Sequence, residues 1–166
     1  MSVNKKTVYT PHSDNKSMTV DRYFDAPVAD VWQAWTDADL LDQWWAPKPW
    51  KANTKSMDFR EGGAWIYSMD GPDGSKQPCK VTYYNVKPIN SFGSDSGFCD
   101  ENGNMQDSFP VMHWSNNFTP EGEGTNVRVE INFDTEAGLQ QVVAMGFKEG
   151  FEMGHSNLDE LLASRK

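Results

Sequence analysis

The stretch from residue 134 to 166 limits what this chain can become more than any other. Phe147, Phe151, His155, Leu158 and Leu162 recur at spacings of three and four, so they share one face of a helix. Leu161 widens the stripe, and Lys148, Glu149, Glu152, Asn157, Asp159 and Glu160 supply the polar side. Asp134-Thr135-Glu136 offers a short polar side chain to cap exposed backbone N–H groups. Gly146, Gly150 and Gly154 each cost a helix roughly 1 kcal/mol relative to Ala. The pattern predicts a break near Gly146, a short helix over 136–145 and a longer one over 147–163. Gly150 and Gly154 then serve close approach to another surface. A helix with so wide an apolar stripe is stable only if something covers it.

The preceding residues supply that cover. Residues 1–16 read as a polar lead-in, either loose or a marginal edge segment with Thr7-Val8-Tyr9 its only strand-like part, and 17–166 as a single domain. Alternation predicts a strand over 18–24. Pro27 then opens a short amphipathic helix carrying Val28, Val31, Trp32 and Trp35, and a second runs from Ala38 to Trp44-Trp45, where Pro47 and Pro49 forbid continuation. The middle is strand and turn: strands are predicted over 55–59, 64–69, 79–86, 91–99, 109–119 and 127–133. The turn signals are Glu61-Gly62-Gly63, Asp70-Gly71-Pro72-Asp73-Gly74 and Glu121-Gly122-Glu123-Gly124. A twisted antiparallel sheet with one buried face needs a covering layer, and the C-terminal helix is the only element long enough to provide it. The expected class is α+β: a curved antiparallel sheet around a long C-terminal helix, with two short helices closing one end.

Composition excludes several function classes. A net charge of −9 and a pI near 4.7 argue against nucleic acid and anionic membranes as partners. Cys79 and Cys99 lack metal-ligand spacing and read as free intracellular thiols. No apolar run approaches the ~18 residues of a membrane span, and no signal-peptide segment opens the sequence, so a cytoplasmic location is expected.

At this point the residues resemble a known family. Arg22-Tyr23-Phe24-Asp25-Ala26-Pro27, Val31-Trp32-Gln33-Ala34-Trp35-Thr36-Asp37 and Leu41-Asp42-Gln43-Trp44-Trp45-Ala46-Pro47 are similar to the opening signature of the activator-of-heat-shock-protein-ATPase-homologue family. The likeness continues at Asp58-Phe59-Arg60-Glu61-Gly62-Gly63, Met69 to Gly74, Gly124-Thr125 and the terminal Gly146-Phe147, Gly150-Phe151 and Leu158. The resemblance implies a START-like, helix-grip fold, in agreement with the element order. Such proteins bind hydrophobic ligands, act as cyclases or hydrolases, or assist chaperones. Two departures stand out: Phe59 replaces the commoner Leu, and Ser91-Phe92-Gly93-Ser94-Asp95 is more polar than the usual hydrophobic strand.

No constellation for catalysis is found. His113 reads as a hydrogen-bonded sheet residue, and His155 either as a hydrogen-bonded core residue or as a polar group in a cavity; neither belongs to a metal-ligand pattern. No Gly-x-Ser-x-Gly elbow, phosphate loop or dinucleotide fingerprint is present. We assign no catalytic residue, metal or cofactor. Seven Trp, nine Phe and five Tyr are a heavy aromatic load for one small core. Trp44 and Trp45 are adjacent on a helix and cannot point the same way, which leaves one facing a cavity mouth or a partner. Trp65 and Tyr67 alternate inward with Met69, as do Met112, Trp114, Asn116 and Phe118. The expected function is binding of a small apolar or aromatic molecule between sheet and C-terminal helix, by Trp44, Trp45, Trp65, Tyr67, Trp114, Phe147, Phe151 and His155. The alternatives are a chaperone-associated interaction module and, behind it, a cyclase- or hydrolase-like enzyme.

Overall fold

A computed structural model describes residues 7–106 and 110–165. Two strands, β1 (Val8–Pro11) and β2 (Ser17–Phe24), precede two helices, α1 (Val28–Thr36) and α2 (Ala38–Trp44). Six strands follow: β3 (Lys51–Met57), β4 (Ala64–Asp70), β5 (Lys76–Lys87), β6 (Ser91–Phe98), β7 (Met112–Glu121) and β8 (Gly124–Asn132). Helices α3 (Glu136–Ala144) and α4 (Phe147–Ser164) end the chain. All strands join one antiparallel sheet in the order β1-β2-β8-β7-β6-β5-β4-β3. The fold is the expected α+β helix-grip.

Local chemistry explains the helix boundaries. Pro27 sits at the N-cap of α1, just before its first turn. Asp37 ends α1 and begins α2, its carboxylate accepting the Asp39 and Leu40 N–H groups. Thr135 caps α3 by accepting from the Gly138 N–H, and Gly146 takes a left-handed φ of 91° that separates α3 from α4. An L side chain would be strained there.

On α4, Phe151, His155, Leu158 and Leu162 are buried and Phe147 is half-buried. Asn157, expected on the polar side, is buried as well, because its Nδ2 donates to the Trp44 and Ala46 carbonyls at 3.4 and 3.2 Å. These carbonyls lie in the last turn of α2 and just beyond it, where a helix has no partners of its own for them. Gly154 makes the approach feasible: a Cβ there would stand 3.4 Å from the Trp44 and Trp45 carbonyl oxygens. The surface that these α4 residues approach is thus the end of α2. Arg22 of β2 ties the same helix to the sheet, with a bidentate grip on Asp159 at 2.5 and 3.1 Å.

The predicted strands shift most at the sheet edge. Residues 55–59 were expected as a strand, but β3 spans Lys51–Met57 and pairs with β4 from Lys51↔Asp70 to Met57↔Trp65, with a bulge between Thr54 and Ser56. An edge strand with one buried residue, Ala52, carries almost no alternation to read. Phe59 leaves the strand and packs edge-on against Tyr83 and Phe92. β7 begins at Met112; Phe109, where that strand was expected to start, lies outside the described residues.

Two outcomes follow from α4. A chain ending at residue 145 loses the cover over Trp35, Trp44 and Trp114 and is expected to show no cooperative unfolding transition in urea; a retained transition overturns this. Gly154→Ala should leave stability within about 1 kcal/mol, whereas Gly154→Val, forced against the α2 carbonyls, should lower it by about 1–3 kcal/mol, both read from urea midpoints.

Candidate functional site

The inward positions of four neighbouring strands form a floor. Trp65 and Tyr67 of β4, Val81 and Tyr83 of β5, Phe92, Ser94 and Ser96 of β6, and Trp114 and Asn116 of β7 all lie on the concave face. The register sets them in rows: Trp65 opposite Val81 and Val81 opposite Ser96, then Tyr83 opposite Ser94 and Ser94 opposite Trp114. Two short serine side chains therefore sit between large neighbours, and the floor dips there. Trp35 of α1, Leu41 of α2 and Trp45 at the α2 C-cap cover the dip. The space beneath them, open along part of its boundary, measures about 30 Å³, room for a single water.

The sequence-predicted residues fall into two layers around this space. Trp45, Trp65 and Trp114 line it. Trp45 points inward and its Nε1–H donates to the Tyr67 hydroxyl at 2.9 Å, so Tyr67 holds the cover rather than lining the space. Trp44 points into the core and donates to the Ala34 carbonyl at 2.9 Å. Phe151 packs edge-on against Trp45 and Trp114, and Phe147 stacks on Phe151 at 5.4 Å. His155 lies behind Phe151, with ring centroids 4.1 Å apart, and its Nδ1 is 2.7 Å from the Thr7 hydroxyl. The cavity thus lies between the sheet and α1–α2, not against α4, because the stacked Phe rings fill the space next to Trp114. The polar strand that departs from the family pattern supplies Ser94 and Ser96, and Asn116 was already placed inward by alternation; these were the signals for the floor. Trp35 and Leu41 had no sequence signal beyond helix amphipathicity.

Polar groups on the wall are few. Asn116 is 1% exposed and its Nδ2 donates to the Phe92 carbonyl and to Ser94 Oγ, at 3.2 and 3.3 Å. Trp65 donates to Thr54 Oγ1 at 3.0 Å. The Nε1–H groups of Trp35 and Trp114 are sealed from solvent and have no hydrogen-bond partner among the described residues. The wall carries no carboxylate, imidazole, amine or thiol, and burial drives the Tyr83 phenol far above its ordinary pKa. Such a surface can bind and orient, but it offers nothing to move a proton at neutral pH. Cys79, buried outside the cavity, has its thiol pushed up to about 12 by burial and is unreactive.

The two histidines in the domain behave oppositely. Burial, helped by the Arg22 charge, holds His155 neutral with its pKa lowered to about 3. His113 lies on the outer face. Partial burial pulls its pKa down, but hydrogen bonds to Asp95 at 2.8 Å and Asp134 at 3.0 Å outweigh this and raise it. For His155 the unfolded chain takes up a proton near pH 6.5 while the folded one does not, so stability is complete above 6.5 and falls as pH drops. For His113 stability is complete below 6.5 and is lost as pH rises through the raised value. Urea midpoints at pH 7 and 5 should show an acid loss in the native chain that His155→Asn removes in large part; an equal loss in both chains means His155 is not held neutral.

Among the described residues no group of three or more His, Cys, Asp or Glu is placed to hold a metal, and no helix is long and apolar enough to cross a membrane. No curated protein matches the sequence. A crystal structure of a protein from Mycobacterium smegmatis shares 32% identity over 95% of this chain and 96% of its own, with a TM-score of 0.86. A solution structure from Arthrobacter aurescens shares 29% over 95% and 91%, with a TM-score of 0.88. A Silicibacter pomeroyi structure named for AHSA1 matches in fold, at 20% identity over 90% and 99%, with a TM-score of 0.70. The family described as "Activator of Hsp90 ATPase homolog 1-like protein" matches residues 25–163. With its helix-grip architecture and a match over most of its length, the chain belongs to the activator of Hsp90 ATPase homolog 1-like family.

Proposed function

We propose that this protein binds a small apolar or aromatic molecule in the space between its sheet and the helices covering it. The observation that carries the reading is the dip at Ser94 and Ser96, small residues set among Trp35, Trp45, Trp65, Tyr83 and Trp114 where larger side chains would have filled the core. Trp45, Trp65 and Trp114 make the first contacts with the ligand. Phe147, Phe151 and His155 back them, while Tyr67 and Trp44 set the position of the cover.

At about 30 Å³ the space is far smaller than the several hundred Å³ a drug-sized ligand fills, so binding requires the cover to yield. Two routes compete. Lifting α2 breaks the Asn157 bonds to the Trp44 and Ala46 carbonyls and both Thr54 bonds to Asp42. Swinging the half-buried Trp45 side chain breaks one neutral hydrogen bond, to Tyr67, worth about 1 kcal/mol net. The second route is cheaper, and Trp45 is the gate.

The alternative of a chaperone-binding face has less to recommend it. The exposed large apolar residues among those described are Val8, Ile89, Met105, Met145 and Met153, which stand on separate elements. Calorimetric titration against a panel of indole, naphthalene and short aliphatic compounds tests the reading. Aromatic members should bind more tightly than 1 mM, about −4 kcal/mol, and Phe151→Ala should weaken them by loosening the Trp45–Trp114 wall. If nothing in the panel reaches that affinity, the binding reading fails and the interaction module takes its place.

A further inference from the structure

We propose that the ligand is a neutral aromatic molecule carrying a hydrogen-bond acceptor, and that the indole N–H groups of Trp35 and Trp114 receive that acceptor. The inference rests on the binding reading above and adds the chemistry of the ligand. The tryptophans around the cavity divide sharply. Trp44, Trp45 and Trp65 donate to Ala34, Tyr67 and Thr54. Trp35 and Trp114, 3% and 6% exposed, line the cavity, and their indole N–H groups have no acceptor among the described residues. A buried donor without a partner is costly, and native proteins keep few of them. Both belong to residues that line one cavity, one on α1 and one on β7, and both N–H groups are closed off from that space while the cover is in place. Both rings also touch Trp45 and Phe151, so the movement of Trp45 that admits a ligand opens space beside both indoles.

The wall also defines the charge of what it takes. No Lys, Arg or His lines the cavity, so a carboxylate or phosphate would be buried without a counter-charge, at a cost two neutral N–H donors cannot offset. The net charge of −9 adds repulsion. A cation would meet donor hydrogens and no carboxylate. A ketone, ester, ether or ring nitrogen on an aromatic body meets both requirements, its acceptor satisfying the indoles and its ring packing on Trp45 and Trp65. The Ser94 and Ser96 hydroxyls on the floor tolerate the polar end where an aliphatic floor would not.

Three probes of nearly equal size separate the possibilities: acetophenone, its acceptor-free isostere α-methylstyrene, and benzoate. Titrations are followed by calorimetry and by ¹H–¹⁵N spectra of the full-length protein, the Trp35 and Trp114 indole peaks being assigned with Trp35→Phe and Trp114→Phe. Acetophenone should bind about tenfold more tightly than α-methylstyrene, the net worth of two neutral hydrogen bonds, and benzoate more weakly than either. Acetophenone should move both indole protons downfield, as hydrogen bonding does, and α-methylstyrene should not. Each Phe variant should lose part of the acetophenone preference while keeping its affinity for α-methylstyrene. Equal binding of the two neutral probes, with the indole peaks unmoved downfield, would mean that these N–H groups rest on neighbouring ring faces. That result overturns the acceptor inference and leaves the binding reading standing. Preference for benzoate overturns the neutrality argument, and failure of all three probes overturns both this inference and the reading it rests on. The native-protein spectra decide the matter even if a Phe variant does not fold.

Discussion

The seating of the α2 C-terminus on α4 is the contact on which the rest of the molecule depends. Two carbonyls that a short helix cannot satisfy internally are taken up by Asn157, and Gly154 supplies the clearance. That seat turns Trp44 into the core, where it packs on Trp35 at 5.1 Å, and leaves Trp45, one residue later, facing the sheet. Without Asn157 the carbonyls would be buried and unpaired, a cost of about 1–3 kcal/mol for a lost partner. A side chain larger than a methyl group at Gly154 would press on the Trp44 and Trp45 carbonyls. The cover of the cavity is therefore set by two residues that never touch it.

The same helix is anchored at its other side by charge and by shape. Arg22 is 5% exposed, donates to Asp159 and to the Tyr23 carbonyl, and lies over the Phe24 ring at 4.9 Å. A pair of this kind adds little net stability, since desolvation offsets much of the attraction. Its value is positional: it fixes the rotation of α4 against β2. The Thr7–His155 and Tyr9–Lys148 contacts extend the grip to the first strand. Of the two readings of the lead-in, the edge segment is the one that forms: Val8 to Pro11 pair with β2, and Thr7 and Tyr9 touch α4.

Against this frame the region above Ser94 and Ser96 is underfilled, and two of the tryptophans that line it hold indole donors without an acceptor among the described residues. Natural cores avoid both conditions because each lowers stability. The two conditions meet around β6, β7 and α1, which is the support for the proposed binding site. Of the two readings of His155, a polar group in a cavity or a hydrogen-bonded core residue, the structure matches the second: its burial and its bond to Thr7 make it a part of the grip.

Local chemistry written along the chain was enough for the element order, the break at Gly146, a polar cap within residues 134–136, the inward alternation of Trp65–Tyr67 and Met112–Phe118, and the helix-grip architecture. These follow from periodicity and from backbone restrictions that act within a few residues. The β3 edge was misplaced because an edge strand buries so little that no alternation is imposed on it. Asn157 read as solvated because a polar residue on a helix is recognisable as buried only once its distant acceptors, the Trp44 and Ala46 carbonyls, are known. That Trp44 and Trp45 both face inward, one into the core and one over the floor, and that the cavity lies under α2 rather than α4, were likewise decided by packing between residues far apart in the chain. Strand register sets Ser94 between Tyr83 and Trp114, and the stacking of Phe147 on Phe151 closes the alternative space. Sequence by itself determines which faces must be buried; tertiary structure alone decides where burial falls short of filling the interior, because a void is a mismatch of volumes between segments and belongs to none of them.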